Sequence, residues 1–299
     1  MLSYLHGFHA GGAADVLKHS VLVFCLAYLE KKETPLLCVD THAGAGLYDL
    51  SGAGFPQNRE WEKGIGRLLR GEAMPPMLAS YVTLCHADSP PTAFAGKPVY
   101  LGSPAIMAKM LRKGDRLVCF ELHPREFGAL GASMAEIRSE SSGGMPVVEV
   151  RREDGAAGLK SLLPPPSRRG LVFIDPSWEE RAEYETIPGA VREGLRRFPE
   201  GTFIIWYPLL GLAKEKAGLS SAPADTLYGL TDGKRCRAEL RINAPEAGTE
   251  TSPRGMYGSG LVILNPPWTL RAALEETLPF LAGILGGGKG GWRLDWDAS

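Results

Sequence analysis

Residues 35–46, Pro-Leu-Leu-Cys-Val-Asp-Thr-His-Ala-Gly-Ala-Gly, run from an apolar stretch through a carboxylate into two closely spaced glycines. A buried parallel strand that enters a glycine turn has this pattern, because helices on both faces of the sheet make such strands apolar throughout. Similar apolar runs recur at Arg116–Glu121, Pro146–Val150, Gly170–Asp175 and Thr202–Tyr207. We therefore expect five strands of one parallel sheet.

The segments between these runs are typical of helices. Residues 15–32, for example, contain no glycine or proline and end in charged side chains. Strands that alternate with helices favour an α/β fold with a mostly parallel, doubly wound sheet. Arg237–Asn243 and Ser259–Asn265 lack a helix between them, so we expect an antiparallel hairpin at one edge of the sheet. The glycine-rich residues 286–291 predict a flexible turn before the last residues.

One interval is too long for a simple strand-helix-strand unit. In such a unit an acidic residue follows the glycine turn by roughly 20 residues, whereas here the next run that ends in a carboxylate comes far later. We assign residues 47–98 to a small helical insertion subdomain, with helices around residues 58–70 and 76–87. Residues 1–46 and 99–299 then form the core, which begins with an N-terminal capping segment.

The composition limits the class of protein. The chain has 299 residues, of which 44% are hydrophobic, so it holds enough apolar side chains for a full-sized core. Its formal charge of −1 gives no overall attraction to nucleic acid or to an anionic membrane, so any contact with RNA must come from a local patch. Five cysteines without a Cys-x-x-Cys pair argue against disulfides and a zinc ribbon, and favour a reducing compartment.

The N-terminal part of the chain contains an apolar stretch at residues 21–29. This stretch is too short to cross a bilayer, and residues 30–33, Glu-Lys-Lys-Glu, follow it in place of a cleavage site. We interpret it as the buried part of a helix in a cytoplasmic protein that does not contact membranes. His6 and His9 lack the helical i, i+4 spacing of a metal site, so no metal is expected.

Gly44 and Gly46 lie where the backbone of such folds approaches a ligand, at the carboxyl ends of the strands. A dinucleotide site needs a third glycine three residues later, but Asp49 stands there and brings a negative charge close to the phosphates. S-adenosylmethionine (SAM) carries no phosphate. Glu121 and Asp154 offer a carboxylate for its ribose hydroxyls and a polar cap for its adenine, so the sequence favours SAM as the cofactor.

Asp175-Pro176-Ser177-Trp178 approximates the [DNS]-P-P-[YFW] signature of methyltransferases that act on exocyclic amines. The N6 amine of adenine is a poor nucleophile, because its lone pair is delocalised into the ring. The Asp175 carboxylate and the Pro176 carbonyl can each accept one N6 hydrogen and so aim the lone pair at a methyl donor. We expect Asp175 to be catalytic, Pro176 to bind the substrate, and Trp178 to stack on the extruded base.

A second match, Asn265-Pro-Pro-Trp268, fits the four-residue pattern more closely. It ends the second strand of the expected hairpin, which runs antiparallel to its neighbour. The carboxyl end of that strand should therefore lie on the side of the sheet opposite the ligand. We predict a structural role for this motif.

Several motifs together resemble the RlmJ family of bacterial SAM-dependent methyltransferases, which modify an adenine N6 in large-subunit ribosomal RNA. The resemblance spans nearly the whole chain and rests on residues 4–19, 40–46, 102–104, 121–124, 154–155, 167–170, 206–208 and 265–268. It implies a Rossmann-like methyltransferase core with a helical insertion after the first strand. Members of the family have also been described as proteins for using external DNA.

Position by position, the resemblance implies roles for individual residues. Asp175 should be the catalytic residue, and Tyr4 and His6 should reach the target base. The SAM site should be lined by Lys18, His19, His42, Ser103, Glu121, Asp154 and Gly155.

Four groups of basic residues are candidates for contacts with RNA. Arg168-Arg169 precedes the fourth strand and should face away from the active edge. Arginines 192, 196 and 197, and the cluster Lys234, Arg235 and Arg237, are more typical of solvated faces. Arg254-Gly-Met-Tyr257 precedes the last strand of the hairpin, which places it on the active edge of the sheet and makes it the better candidate.

The loop after Asp175 departs from the family, which reads Asp-Pro-Pro-Tyr where this chain has Ser177 and Trp178. Ser177 removes a rigid ring and restores a backbone N–H, so we expect a looser loop. Three other hypotheses stay open: methylation of DNA adenine, a catalytically silent nucleic-acid-binding protein that retains SAM binding, and an NAD-dependent oxidoreductase. We assume that the chain is a monomer.

Overall fold

The structure is a computed structural model, and it describes part of the chain. The described residues are 7, 9–50, 59–69, 73–87, 99–141, 144–211, 223–242 and 255–298. The strands are β1 (Leu37–Asp40), β2 (Leu47–Asp49), β3 (Val99–Leu101), β4 (Arg116–Phe120), β5 (Val147–Arg151), β6 (Gly170–Ile174), β7 (Thr202–Leu210), β8 (Arg235–Arg241), β9 (Met256–Leu264) and β10 (Gly291–Asp297). The helices are α1 (Ala13–Leu29), α2 (Glu60–Lys63), α3 (Ile65–Leu68), α4 (Pro76–Ala87), α5 (Ser103–Met110), α6 (Pro124–Glu140), α7 (Gly155–Leu162), α8 (Glu183–Arg197), α9, of which residues 223–228 are described, and α10 (Leu270–Gly286).

The five predicted parallel strands lie side by side in the order β5-β4-β1-β6-β7. Strands β1, β6 and β7 are buried almost from end to end, which is why their sequences are apolar on both faces. Strand β5 forms the edge and carries charges, with Glu149 bonded to both Arg116 and Arg151. The predicted mostly parallel α/β sheet is confirmed.

The sheet continues beyond β7 in the antiparallel order β7-β9-β8-β10. The predicted antiparallel pairing of β8 with β9 is confirmed, but its position at the edge is wrong, because β10 covers β8. The glycine-rich segment does form a turn, with Gly287 and Gly288 at positive φ. The residues after that turn form β10, for which the sequence analysis predicted no element. Ion pairs such as Arg235–Asp297 and Arg293–Asp295 lie along this edge.

The interval after β1 contains the helices that the sequence predicts around residues 58–70 and 76–87. The first is split into α2 and α3 at Gly64, where a Cβ atom would lie 2.1 Å from the backbone oxygen of Gly11. Helix α4 packs on α1, and its Leu78 and Tyr81 are fully buried. Strands β2 and β3 pair with each other in a short antiparallel ladder that was not predicted. The boundaries 47–98 of a separate subdomain stay a prediction.

Candidate active site

A cavity of about 440 Å³ lies where the parallel strands end. Residues that directly follow β1, β4, β5 and β6 all line it, as expected for carboxyl ends that meet at one edge of a sheet. They include Thr41 to Gly44, Glu121 with Leu122, Asp154 with Gly155, and Asp175. The sequence therefore predicted where a ligand site would form.

The glycine turn after β1 is tied to the end of β4. The Gly44 N–H donates to Glu121 Oε2 over 2.8 Å, and the His123 N–H donates to Glu121 Oε1 over 2.7 Å. These two bonds fix the plane of the carboxylate at the rim of the cavity. Gly44 and Gly46 both have positive φ, which favours glycine. Gly46 packs against α6 and is not among the residues that line the cavity, so the structure places it behind the site.

The turn between β5 and α7 approaches the β1 turn closely. A Cβ atom on Gly155 would lie 2.2 Å from the Thr41 carbonyl oxygen, so only glycine fits at this position. Asp154 caps α7, since its Oδ1 accepts the Ala157 N–H over 3.1 Å. Asp154 and Gly155 both line the cavity beside Glu121.

Lys18 connects the N-terminal region to Asp175 at the end of β6. Its Nζ lies 2.6 Å from Asp175 Oδ2 and 2.7 Å from Asp15 Oδ1, and its side chain is only 3% exposed. Asp15 in turn accepts the Gly11 N–H over 2.8 Å. Lys18 is not among the cavity-lining residues. The structure therefore places Lys18 as an anchor for the predicted catalytic carboxylate, behind the surface of the cavity.

Three further residues predicted to bind the cofactor line the cavity: His19, His42 and Ser103. Burial lowers the pKa of His42 to about 4, so its imidazole is neutral near neutral pH. Burial raises the pKa of the neighbouring Asp40 to about 7, against the lowering effect of a hydrogen bond with Ser103. His42 and Ser103 therefore offer neutral polar groups to a ligand on this part of the wall.

The loop after Asp175 differs from its expected arrangement. The Trp178 side chain is buried, 4% exposed, with its indole N–H donating to the Trp206 carbonyl over 2.9 Å and its ring edge-on to Tyr184. Neither Pro176 nor Trp178 lines the cavity in this conformation, whereas Ser177 does. Packing and the indole bond hold the Trp178 ring beneath the loop in this conformation, and its stacking on an extruded base stays a prediction. Tyr4 and His6 lie outside the described residues.

The strong negative character of the cavity was not predicted from the sequence. Eight carboxylates line it, and no lysine or arginine does among the described residues: Glu121, Glu126, Glu153, Asp154, Asp175, Glu179, Glu180 and Glu183. The acidic pairs at residues 153–154 and 179–180, which follow strands β5 and β6, were the available signal. Walls of one sign focus the field, so this cavity favours a cationic ligand and disfavours phosphates.

The competing Asn265-Pro-Pro-Trp268 motif lies at the opposite end of the sheet, as predicted. Asn265 has a φ of 54° and its Nδ2 donates to the carbonyls of Pro199 and Gly201, which precede β7. The Thr202 hydroxyl donates back to the Asn265 carbonyl over 3.0 Å. The motif therefore joins the end of β9 to the start of β7.

The basic groups considered for RNA are largely paired. Arg196 and Arg197 both bind Glu193, while Arg235 binds Asp297 and Arg237 binds Asp225. The exposed Arg196 pair fits the predicted solvated face, whereas Arg237 is only 5% exposed, so the prediction of a solvated face is wrong for Arg237. The better candidate, residues 254–257, begins outside the described part of the chain.

The described ranges hold no group of three histidine, cysteine or acidic side chains that could bind a metal ion. None of the helices found there is long and apolar enough to span a membrane.

Comparisons with known proteins give consistent matches along the chain. Residues 33–298 match the family model described as ribosomal RNA large subunit methyltransferase D, RlmJ. The ribosomal RNA large subunit methyltransferase J of Haemophilus influenzae is 37% identical over 299 residues, 99% of each chain. The protein of the same name from Escherichia coli K12 is 33% identical over 297 residues, again 99% of each chain.

A solved structure agrees with these matches. The crystal structure of a protein from Legionella pneumophila str. Philadelphia 1 has a TM-score of 0.81 and 32% identity, and the alignment covers 97% of this chain and 99% of that one. The fold is therefore the Rossmann-like α/β fold that the sequence resemblance implied. Because the family model and both relatives extend across the strands that build the cavity, the chain belongs to the RlmJ family of ribosomal RNA large subunit methyltransferases.

Proposed function

We propose that this protein is a SAM-dependent methyltransferase that methylates the N6 amine of an adenine in large-subunit ribosomal RNA. The observation that carries the proposal is the acidic cavity, with Asp175 held at its inner end by Lys18. Membership of the RlmJ family and the names of the two relatives support the RNA substrate.

The cavity residues suit SAM better than a dinucleotide. SAM brings a sulfonium cation and no phosphate, whereas the pyrophosphate of NAD would face eight carboxylates without a lysine or arginine on the described walls. Each oxygen of Glu121 accepts one backbone N–H and keeps a lone pair for a ribose hydroxyl. Asp154 and Gly155 lie next to it for the adenine, and His19, His42 and Ser103 lie on the wall for the amino-acid part. This charge pattern argues against the oxidoreductase hypothesis.

Bound SAM supplies an electrophilic methyl group attached to a positive sulfur. Asp175 would accept one N6 hydrogen through the carboxylate. The Pro176 carbonyl would accept the other in a conformation in which it faces the cavity. Lys18 binds Asp175 Oδ2, which fixes the carboxylate and leaves Oδ1 to face the amine. Together these acceptors would hold the amine with its lone pair directed at that methyl group, and the Asp175 carboxylate would accept the proton that the methylated amine releases. The walls also keep RNA phosphates out, so the target base must be extruded to reach Asp175.

Further parts of the proposal rest on residues outside the described ranges or on the sequence alone. Tyr4 and His6 are proposed to contact the target base. The cytoplasmic location and the monomeric state stay predictions. Trp178 stacks on the base only in a conformation in which its ring has left the Trp206 carbonyl.

The test is transfer of a labelled methyl group from SAM to deproteinised large-subunit ribosomal RNA from the same organism, with duplex DNA in parallel. We expect label in the RNA alone. Label in DNA alone would favour the DNA hypothesis. Binding of SAM without transfer to either polymer would favour the silent binding protein, and tight binding of NADH with no binding of SAM would restore the oxidoreductase.

A further inference from the structure

A buried chain of hydrogen bonds leads from the cavity wall into the inserted helices. His19 Nδ1 lies 2.6 Å from the Tyr100 hydroxyl, and that hydroxyl lies 2.9 Å from the hydroxyl of Tyr81. The three residues are at most 2% exposed and come from α1, β3 and α4. The His19 ring also stacks on the Tyr100 ring, with centroids 5.8 Å apart and planes at 24°. Tyr100 therefore fixes both the orientation of the imidazole and the partner of its Nδ1.

His19 lies on the catalytic side of the cavity. It directly follows Lys18, which binds Asp175, and its ring centroid is 6.2 Å from that of Phe173 on β6. Glu121 and Asp154 lie across the cavity at the ends of β4 and β5. With the ribose at Glu121 and the methyl group at Asp175, the amino-acid arm of the cofactor is the part left for the wall of α1. This step rests on the proposed function.

Because the cavity wall is acidic, a hydrogen-bond donor on His19 is important for binding the amino-acid arm. The carboxylate of the amino-acid arm is negative, and it must enter a cavity lined by eight carboxylates. Such a group is stable there only where an N–H or O–H points at it. Because Tyr100 occupies Nδ1, any bond from His19 to a ligand in the cavity comes from Nε2.

We propose that Tyr100 is a positioning residue that holds His19 in the tautomer with its proton on Nε2, so that this N–H binds the cofactor carboxylate. In this arrangement the Tyr81 hydroxyl donates to the Tyr100 oxygen, and the Tyr100 hydroxyl donates to His19 Nδ1. A neutral imidazole has one ring proton, so an accepting Nδ1 places that proton on Nε2. The Tyr100 side chain on β3 thereby sets the affinity for the amino-acid arm without touching it.

The first test compares two ligands by calorimetric titration. SAM contains the amino-acid arm, whereas 5′-methylthioadenosine keeps the adenosine and the sulfur but lacks the carboxylate. We expect Tyr100→Phe to weaken SAM binding about tenfold and to change 5′-methylthioadenosine binding by less than about twofold. In a His19→Ala background, Tyr100→Phe should have no further effect on SAM.

Tyr81→Phe is the matched control. It removes a buried hydroxyl from the same cluster but leaves the His19–Tyr100 bond, so SAM binding should stay close to that of the wild type. Equal weakening by Tyr81→Phe, equal weakening of both ligands by Tyr100→Phe, or a further loss in the His19→Ala background would overturn the proposal, because each outcome points to general packing.

A second measurement does not depend on any ligand or on methyl transfer. Nitrogen-15 NMR of histidine side chains in the ligand-free wild type, with His19 assigned through its alanine variant, reports which ring nitrogen carries the proton. We expect a bare Nδ1 and a protonated Nε2. A proton on Nδ1 would refute the inference even if SAM binds and the enzyme is active. A wild type that shows the expected tautomer but binds no SAM would overturn the proposed function together with the carboxylate role, while leaving the Tyr100–His19 bond in place.

Discussion

Lys18 lies between two carboxylates of the site. Its ammonium group contacts the buried Asp15 and the cavity-lining Asp175, so one positive charge is shared between two negative ones. Removing one member of a buried ion pair leaves an uncompensated charge, which costs far more than losing an exposed pair. The same contact fixes the carboxylate that the proposed chemistry uses, so stability and activity meet at this side chain.

We expect Lys18→Met to lower the free energy of unfolding by about 3 kcal/mol or more and to reduce methyl transfer at least about a hundredfold, since Asp175 loses its anchor. Urea denaturation and initial rates measure the two effects. The control is Arg271→Met, which removes an exposed pair with Glu275 and should cost less than about 1 kcal/mol. Equal effects of the two variants would contradict this account of the site.

His42 provides a pH-dependent prediction. Burial lowers the pKa of His42 to about 4 from its ordinary value of 6.5, so the unfolded chain binds a proton in this interval that the folded chain does not. The buried neutral imidazole costs no stability above pH 6.5, and the free energy of unfolding falls as the pH drops from 6.5 towards 4. The stability advantage of the wild type over His42→Gln should therefore shrink by about 3 kcal/mol across this window.

Urea titrations at a series of pH values measure this difference. Asp40→Asn serves as a control with the opposite sign. Burial raises the pKa of Asp40 from 3.8 to about 7, so the wild-type carboxyl lowers stability as the pH rises from 3.8 towards 7, and the variant removes that cost. A pH-independent difference between the wild type and His42→Gln would mean that the imidazole is solvated.

Among the elements, the five parallel strands could be predicted because continuous apolar runs have few other uses in a chain of this composition. Strand β10 could not be predicted, because charged side chains interrupt any apolar run in it. Among them, Asp297 pairs with Arg235 on β8. The short strands β2 and β3 likewise carry no periodic signal. The position of the site followed from the strand order, whereas the burial of Trp178 depends on packing against Tyr184 and a backbone carbonyl, which no local pattern encodes.

The turns at the strand ends give a prediction at the scale of elements. Gly155→Ala would bring a Cβ atom within 2.2 Å of the Thr41 carbonyl and push the β5–α7 turn away from the β1 turn. We expect a loss of about 2 kcal/mol in stability and weaker SAM binding, measured by thermal unfolding and calorimetry. Gly128→Ala is the control in α6, where nothing lies within 4 Å of the added atom. It should be neutral or stabilise by about 0.5 kcal/mol, and similar losses in both variants would contradict the close approach.

On the scale of the whole molecule, charge is distributed unevenly. The chain is nearly neutral, with 33 basic and 34 acidic residues. In the described wall of the cavity, however, eight side chains are Asp or Glu and none is Lys or Arg. Many of the arginines elsewhere are paired with carboxylates, so no large basic face is evident in the described ranges. The molecule thus attracts a small cation to one place while it holds a polyanion only through local contacts.

This distribution predicts a difference between cofactor and product. S-adenosylhomocysteine lacks the sulfonium charge but shares every other group with SAM. Added salt screens charges, so it should raise the Kd of SAM more than the Kd of S-adenosylhomocysteine. Calorimetric titrations at several sodium chloride concentrations give, for each ligand, the slope of log Kd against log salt concentration. Identical slopes would show that the carboxylates of the cavity do not act on the ligand charge.

The central claim is that Asp175 directs a methyl group to the N6 amine of adenine in ribosomal RNA. The most direct measurement is mass spectrometry of the nucleosides released from large-subunit ribosomal RNA after incubation with SAM and the enzyme, with Asp175→Asn and the surface variant Asp225→Asn in parallel. The account predicts N6-methyladenosine with the wild type and Asp225→Asn, and none with Asp175→Asn. A methyl group on another atom or base, or undiminished N6-methyladenosine with Asp175→Asn, would contradict it.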